Sequence, residues 1–150
     1  MKKLLISIGV MLCLNANAQW IKKTVDNDFD EPYRICYTEP SGINYLKLEN
    51  VDGEIFFYMQ GGYYCDEKPT IDLAFIVNGV SKKYTVYAVT SEDSETIWII
   101  NSLLTDTDML SDFKLCTTLK LRVYDSVCGI ETYSFNMSGS QSAISFISGK

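Results

Sequence analysis

The chain has 150 residues, 47% of them hydrophobic, which is enough for one domain with a real core. Its formal net charge of −6 at pH 7 argues against nucleic acid and anionic membrane surfaces as partners, because both require clustered Lys and Arg. The chain contains no histidine. That absence excludes Ser-His-Asp and Cys-His catalysis, His-ligated zinc and a histidine pH switch.

Residues 1–18 have the order of a secretory signal peptide: Met1-Lys2-Lys3, the apolar run Leu4–Leu14, and the small-residue site Ala16-Asn17-Ala18. The run has 11 residues, whereas a membrane-spanning helix needs about 20. Cys13 lacks the small residue expected just before a lipidated cysteine. We therefore expect cleavage after Ala18, no stable membrane anchor, and a periplasmic or secreted domain of residues 19–150 with a net charge of −8.

Residues 19–31 are polar and predict a loosely ordered lead-in. Asp26, Asp28 and Asp30 occupy the first, third and fifth places of a calcium-loop pattern. Glu31 then stands where glycine is needed, and Tyr37 where a bidentate Glu belongs. This segment is therefore interpreted as solvated and acidic rather than as a metal site.

The first predicted strand is Tyr33–Tyr37, which ends at the turn residues 39–42. The Asp52-Gly53 pair then predicts a two-residue hairpin. Its register places a nearly apolar set toward the core, namely Leu46, Leu48, Asn50, Ile55, Phe57 and Met59. The opposite set faces outward, namely Tyr45, Lys47, Glu49, Glu54, Phe56 and Tyr58.

Asn78-Gly79 is the strongest short hairpin signal. It pairs Leu73 with Tyr84 and Ile71 with Val86 on an apolar face. Thr96–Ile100, apolar on both faces, predicts a central strand.

The last third of the chain predicts a helix, a closing hairpin and a second helix. Thr105 or Asp106 caps the first helix, which docks through Met109, Leu110 and Phe113. In the hairpin, Leu119, Leu121 and Val123 share a face with Tyr133 and Phe135, and Ser138-Gly139-Ser140 leads to a short docked helix with Ala143, Ile144, Phe146 and Ile147. The chain is thus predicted to be all-β, a single-domain antiparallel β-sandwich or partly closed barrel with one or two short accessory helices.

Four cysteines remain after signal cleavage, namely Cys36, Cys65, Cys116 and Cys128. An even number in an oxidising compartment predicts two disulfides, and free buried thiols are the alternative. Three pairings are open. Cys116 with Cys128 is the least favoured, since a strand between them would hold the sulfurs roughly 25 Å apart. No C-x-x-C spacing indicates a metal site.

Tyrosines surround the Gly61-Gly62 segment, and Tyr58, Tyr63, Tyr64 and Tyr87 are the candidate binding residues. Their rings would form an amphipathic patch for a protein, a glycan or a peptidoglycan fragment. Ordinary β-propensity is the alternative explanation for so many aromatic residues.

Two shorter signals concern carboxylates and a modification motif. No pair of Asp or Glu residues is marked as facing across a cleft, which disfavours glycoside hydrolysis. Asp125-Ser126-Val127 resembles the Asp-Ser/Thr-aliphatic acceptor motif for O-glycosylation in Bacteroidetes-type bacteria.

The order of features resembles small exported bacterial proteins of the invasion-associated locus B type. The resemblance rests on Trp20, the acidic lead into Cys36, the helix before Lys120–Val123, and Tyr133–Ser140 ahead of Ala143-Ile144. It implies a periplasmic or secreted β-sandwich, usually without an assigned enzymatic activity. The chain departs from that family in two extra cysteines and offers no functional residue to carry over. Similar gene cassettes in phage and prophage genomes leave a phage-encoded envelope protein open.

These features predict an exported, non-enzymatic β-sandwich protein that needs no cofactor and binds a protein or a cell-envelope component. An acidic inhibitor of a basic cell-wall hydrolase such as lysozyme is the first alternative, because charge complementarity can drive that association. A carboxylate-dependent hydrolase is the second.

Overall fold

The computed structural model describes residues 20–26, 31–38, 44–51, 54–99 and 107–149. Several predicted features lie outside the described residues: the signal peptide with Cys13, the acids at 28 and 30, the turns at 39–42 and 52–53, and the helix cap at 105–106. None of the described helices is both long and apolar enough to cross a membrane.

Within the described residues, nine antiparallel strands form one sheet in the order β1-β2-β3-β4-β7-β6-β5-β8-β9. Their bounds are β1 Ile21–Val25, β2 Tyr33–Tyr37, β3 Tyr45–Val51, β4 Glu54–Gln60, β5 Thr70–Val77, β6 Val80–Thr90, β7 Thr96–Ile99, β8 Thr118–Asp125 and β9 Gly129–Asn136. The sheet is not closed into a barrel, since β1 and β9 lie at its two ends. The predicted all-β antiparallel fold is confirmed.

Strand β6 bends the sheet into two halves that enclose the core. Its residues 80–87 pair with β5, whereas residues 88–90 pair with β7. The buried apolar residues of both halves form a single cluster. The resulting architecture is sandwich-like, with the polar backbone of each half paired within one continuous sheet.

In the part of the chain that the structure describes, two short helices complete the core, as predicted. Helix α1 spans Thr107–Leu115, and helix α2 spans Ser140–Ile147. The ring of Phe113 on α1 lies between the halves, with its centroid 5.6 Å from that of Phe57 and 6.1 Å from that of Phe75. The aromatic edge contacts therefore join the two halves through α1.

The end of α2 is held by side chains from two strands. Arg34 donates from Nη1 to the carbonyl of Phe146 at 3.1 Å, and Asn50 donates from Nδ2 to the carbonyl of Ile147 at 2.8 Å. The last carbonyls of a helix lack partners within the helix, and a cation there also complements the helix dipole. These contacts fix α2 against β2 and β3.

The predicted hairpin registers are confirmed. Leu48 pairs with Phe57 and Leu46 with Met59 in β3–β4, and all four side chains are buried. Leu73 pairs with Tyr84 in β5–β6, also as predicted, and Tyr84 is partly buried against the core. In β8–β9 the inward set is Leu119, Leu121, Val123, Tyr133 and Phe135, as expected.

The prediction of a loosely ordered lead-in is wrong for residues 20–25. Ile21–Val25 forms the edge strand β1 against β2, and Trp20 is buried with its ring 6.2 Å from that of Phe113. The charges of Lys22 and Lys23 obscure the alternating strand pattern in the sequence. Both lysines are exposed at the sheet edge, where long charged side chains are tolerated and discourage further pairing.

Candidate functional site

Three loops meet at one end of the sheet, and we call residues 61–69, 91–95 and 125–131 the clasped tip. The first and second loops are joined by backbone hydrogen bonds, for example from Tyr64 N to Ser94 O at 2.9 Å. The first and third are joined by a disulfide and by side-chain hydrogen bonds. Residues far apart in sequence are therefore held as one surface.

The carboxylate of Asp125 is the centre of the clasp. It is buried, and its two oxygens accept four backbone N–H bonds, from Cys65 at 2.7 Å, Asp66 at 3.0 Å, Val127 at 2.9 Å and Cys128 at 2.7 Å. Burial alone would raise the pKa of this carboxyl, but the four donors outweigh it and lower the pKa. Asp125 therefore stays ionised and ties both loops together at neutral pH.

A disulfide between Cys65 and Cys128 reinforces the same junction. The two Cα atoms are 5.6 Å apart and the residues are separated by 63 positions in sequence, a distance typical of disulfides. The prediction that these two cysteines form a disulfide is confirmed, and Cys65–Cys128 is the pair formed among those that the sequence left open.

The second predicted disulfide is not formed, because Cys36 and Cys116 are free, buried thiols. Cys36 lies beneath α2, with Sγ 3.7 Å from the carbonyl oxygen of Ala143. Cys116 follows α1, and its Sγ lies 3.3 Å from the carbonyl oxygen of Phe113. Burial raises the pKa of Cys36 to about 11 and that of Cys116 to about 12, so both remain protonated.

Asp66 extends the clasp to the surface. Its Oδ2 accepts a hydrogen bond from Ser126 Oγ at 2.6 Å, and its Oδ1 accepts one from Lys68 N at 3.0 Å. The Ser126 hydroxyl is the largest cause of the lowered pKa of Asp66. The Asp125-Ser126-Val127 motif thus occupies the β8–β9 turn, where Ser126 is exposed.

Large apolar side chains stand out from this rigid end. Tyr63, Val127 and Ile130 belong to the clasped tip, and Tyr87 borders it; each is 65–74% exposed. Tyr87 and Ile130 lie on one register row across β6, β5, β8 and β9, through Thr70. Exposed apolar groups clustered on a fixed frame are typical of protein-binding surfaces.

The clasped tip is also strongly acidic. Its three loops carry seven acids and one lysine, a net charge of −6, with the acids being Asp66, Glu67, Glu92, Asp93, Glu95, Asp125 and Glu131. Asp125 alone among these seven is buried. The other six are partly or fully exposed in the same segments as Tyr63, Val127 and Ile130, so the surface combines apolar side chains with negative charge.

The four tyrosines predicted as binding residues are not brought together. Tyr63 and Tyr87 are exposed at or beside the clasped tip. Tyr64 is only 2% exposed, and its hydroxyl lies 3.5 Å from that of Tyr133. Tyr58 lies elsewhere, on the outer face of β4, with its ring centroid 6.4 Å from that of Trp98. Tyr64 is thus a core residue that anchors the first loop.

Gly62 allows Tyr64 to enter the core. A Cβ atom at Gly62 would lie 2.0 Å from the Tyr64 hydroxyl and 2.1 Å from the ring carbon that bears it. No side chain larger than hydrogen fits there unless the ring moves. The Gly61-Gly62 pair, which in sequence predicts only a loop, thus makes room for an anchor.

The clasp also contains atoms of metal-ligand type. One atom each of Cys65, Asp125 and Cys128 lies within 4.8 Å of the others. Both sulfurs are used by the disulfide, and the carboxylate oxygens already accept four hydrogen bonds. A carboxylate has about four acceptor positions, so this group is explained by the clasp itself.

Sequence reasoning missed Asp66, Asp125, Val127 and Ile130 as parts of one surface. The available signals were two aliphatic residues, Val127 inside the β8–β9 turn and Ile130 just after it. Neither signal identifies the loop that this turn meets.

No protein-family model matches the chain, and neither curated proteins nor solved structures show a detectable similarity to it. The resemblance to the invasion-associated locus B type therefore stays a prediction.

Proposed function

We propose that this protein is an exported, periplasmic or secreted, non-enzymatic binding protein that holds a basic protein partner at its clasped tip. The observation that carries the proposal is the set of exposed apolar side chains on a covalently fixed, acidic end of the sheet. The function of the chain is then recognition, and the sheet serves as its frame.

The rigidity of the tip supports binding. The disulfide and the Asp125 hydrogen bonds order both loops before any partner arrives. Binding then requires little additional loop ordering, which in flexible surfaces consumes much of the interaction energy. Tyr63 is well suited to a contact, because tyrosine is enriched among residues that dominate interfaces.

The charge of the tip supports a basic partner. A net charge of −6 on three adjacent loops attracts a positive surface and raises the association rate at low salt. The exposed apolar side chains supply desolvation, and the acidic side chains supply orientation.

Export is supported by the sequence of residues 1–18 and by the disulfide. A bond between residues separated by 63 positions forms and persists in oxidising compartments. Both observations support a mature protein that meets envelope or extracellular proteins.

A capture experiment with matched variants tests the proposal. Oxidised residues 19–150 serve as bait in envelope and culture extracts, beside Tyr63→Ser/Val127→Ser and the control Val80→Ser. Val80 is 58% exposed in the hairpin at the Asn78-Gly79 turn, away from the clasp. We expect a basic protein that the control retains and the double variant loses. Equal recovery by all three baits would contradict the proposed surface.

A narrower second candidate is inhibition of a basic cell-wall hydrolase, which the same negative tip favours. Hen lysozyme is the first probe, with turnover of bacterial cell walls measured at micromolar protein. If lysozyme activity is unchanged at that concentration, lysozyme is excluded as the target in this second candidate function. A carboxylate hydrolase is less well supported, since Asp125 is the one buried carboxylate in the part of the chain that the structure describes, and its oxygens are fully engaged.

A further inference from the structure

A second surface covers the outer face of the first half of the sheet. One register row crosses six strands there, namely Ile21, Tyr37, Lys47, Tyr58, Trp98 and Val89. All six side chains are partly exposed, because the alternate residues of the same strands fill the core. We call the rings of this row and of the rows beside it the aromatic face.

The rings of the aromatic face lie next to one another. Ring centroids are 6.4 Å apart for Tyr58 and Trp98, 6.3 Å for Phe56 and Tyr58, and 6.1 Å for Tyr37 and Tyr45. From Tyr37 to Trp98 the row crosses three strand spacings, roughly 14 Å in all. An extended ligand would therefore contact several rings at once.

The charges within this face compensate each other. The Lys47 ammonium lies 3.0 Å from Glu49 Oε2 and 4.5 Å from the centroid of the Tyr58 ring. Both charged groups are thus already paired on the surface itself. Unlike the clasped tip, this part of the face offers no unpaired charge to a partner.

Polar groups flank the rings. Gln60 donates from Nε2 to Thr96 Oγ1 at 3.2 Å, and these two residues occupy the register row next to Tyr58 and Trp98. The tyrosine hydroxyls add donors and acceptors. A matching ligand therefore presents flat apolar faces together with neutral hydroxyl or amide groups.

We propose that the aromatic face binds an uncharged polysaccharide chain, lying across the strands along the row from Tyr37 to Trp98. Sugar rings present C–H groups on their flat faces, which pack on aromatic rings, and hydroxyls at their edges, which hydrogen-bond to neutral polar side chains. The compensated Lys47–Glu49 pair disfavours a charged ligand, because breaking it to make a new ion pair yields no net attraction. This binding site is separate from the clasped tip, so the mature protein would join a glycan to a protein partner.

Calorimetry with defined sugars tests the proposal on oxidised residues 19–150. The probes are hexasaccharides of β-1,4-linked glucose, xylose and N-acetylglucosamine, and the variants are Trp98→Ala, Tyr58→Ala and the control Tyr63→Ala. We expect one of the three sugars to bind, with association weakened about tenfold by Trp98→Ala or Tyr58→Ala. Tyr63→Ala, at the clasped tip and 67% exposed, should bind as the wild type does.

Two further measurements keep the outcome clear. Melting temperatures identify a variant that fails to fold. If Tyr58→Ala does not fold, Tyr58→Phe replaces it. Tyr58→Phe keeps the ring and removes only the hydroxyl, so it should retain most of the binding. About 0.5 M sodium chloride should leave sugar binding unchanged. The absence of binding to all three sugars would overturn the proposal. So would a light-scattering mass showing a dimer that Trp98→Ala dissociates, because a second copy would then cover the face. Neither result bears on capture of a protein by the tip.

Discussion

The clasped tip and the aromatic face present large side chains to solvent by different means. At the tip, loops distant in sequence are joined by the Cys65–Cys128 disulfide and by the Asp125 carboxylate. On the aromatic face, Tyr58 and Trp98 are positioned by strand register alone. The loops of the tip carry seven acids against the single cation of Lys68, a net charge of −6, whereas Lys47 and Glu49 pair within the face.

This difference separates two ways of making a binding surface. A surface built on strands needs no added support, because the backbone hydrogen bonds that form the sheet also place its side chains. A surface built on loops needs cross-links, since loop backbone has fewer partners of its own. Changes to the clasp should therefore alter the tip and leave the aromatic face intact.

The largest effect is expected from Cys65→Ser/Cys128→Ser. A cross-link across 63 positions restricts the unfolded chain, and its loss should lower the free energy of unfolding by about 4 kcal/mol. Chemical denaturation measures the change. Reducing agent should bring the wild type to the stability of the variant and leave the variant unchanged. Wild type and variant with the same midpoint would show that the disulfide adds no stability.

Asp125→Asn should have the next largest effect, because an amide cannot accept all four backbone N–H bonds. We expect a loss of about 1.5–3 kcal/mol, the range for hydrogen bonds to a charged group. Asp72→Asn is the matched control, since Asp72 accepts side-chain bonds from Thr85 and Tyr124 on the polar outer face and is partly exposed. Its loss should be smaller.

The pH dependence of the same variant tests the charge of Asp125 directly. Its pKa is lowered from the ordinary value of 3.8, so the folded form binds the proton more weakly than the unfolded form. The stabilisation is complete above that ordinary value and is lost as pH falls through the folded pKa. Stability of the wild type should thus fall below about pH 4, and Asp125→Asn should show a shallower fall. Parallel curves would contradict an ionised Asp125 in the clasp.

Gly62→Ala is expected to act through Tyr64. The added methyl group would overlap the buried ring, and forcing such a side chain to move typically costs about 1–3 kcal/mol. The double variant Gly62→Ala/Tyr64→Leu should lose less than the sum of the two single losses, because the smaller side chain removes the overlap. Additive losses, measured by denaturation, would show that the two residues do not contact each other.

Local signals predicted the strands and failed on the junctions between them. Asn78-Gly79 and the alternation around it fix a register within a few residues, and the structure confirms it. The meeting of Cys65 with Asp125 depends on the order of strands in the sheet, which no local pattern specifies. The strand Ile21–Val25 was missed because its three middle residues, Lys22–Thr24, are all exposed and hydrophilic at a sheet edge and hide the alternation.

The tyrosines show the same limit within the candidate site. Tyr63 and Tyr64 are adjacent in a loop, yet one is 67% exposed and the other 2% exposed. Period-2 alternation assigns faces in a strand, but a loop has no such period. The aromatic face, in contrast, follows in part from the outward set of the Asp52-Gly53 hairpin, which was predicted correctly from sequence. The ring contacts with Trp98 could not be predicted from that hairpin.

The smallest effect is expected from Glu49→Gln on the aromatic face. The Lys47–Glu49 pair is partly exposed, so its loss should change stability by less than about 1 kcal/mol. The pKa of Tyr58 is the sensitive measurement, because burial first and the Glu49 carboxylate second raise it to about 12. Removing that negative charge should move the pKa toward the ordinary 10.0, which carbon NMR of labelled tyrosine rings can follow, with Glu95→Gln at the tip as control. A Tyr58 pKa that does not move would show that the Glu49 carboxylate does not act on this ring, and would contradict the arrangement of charges from which an uncharged ligand is inferred.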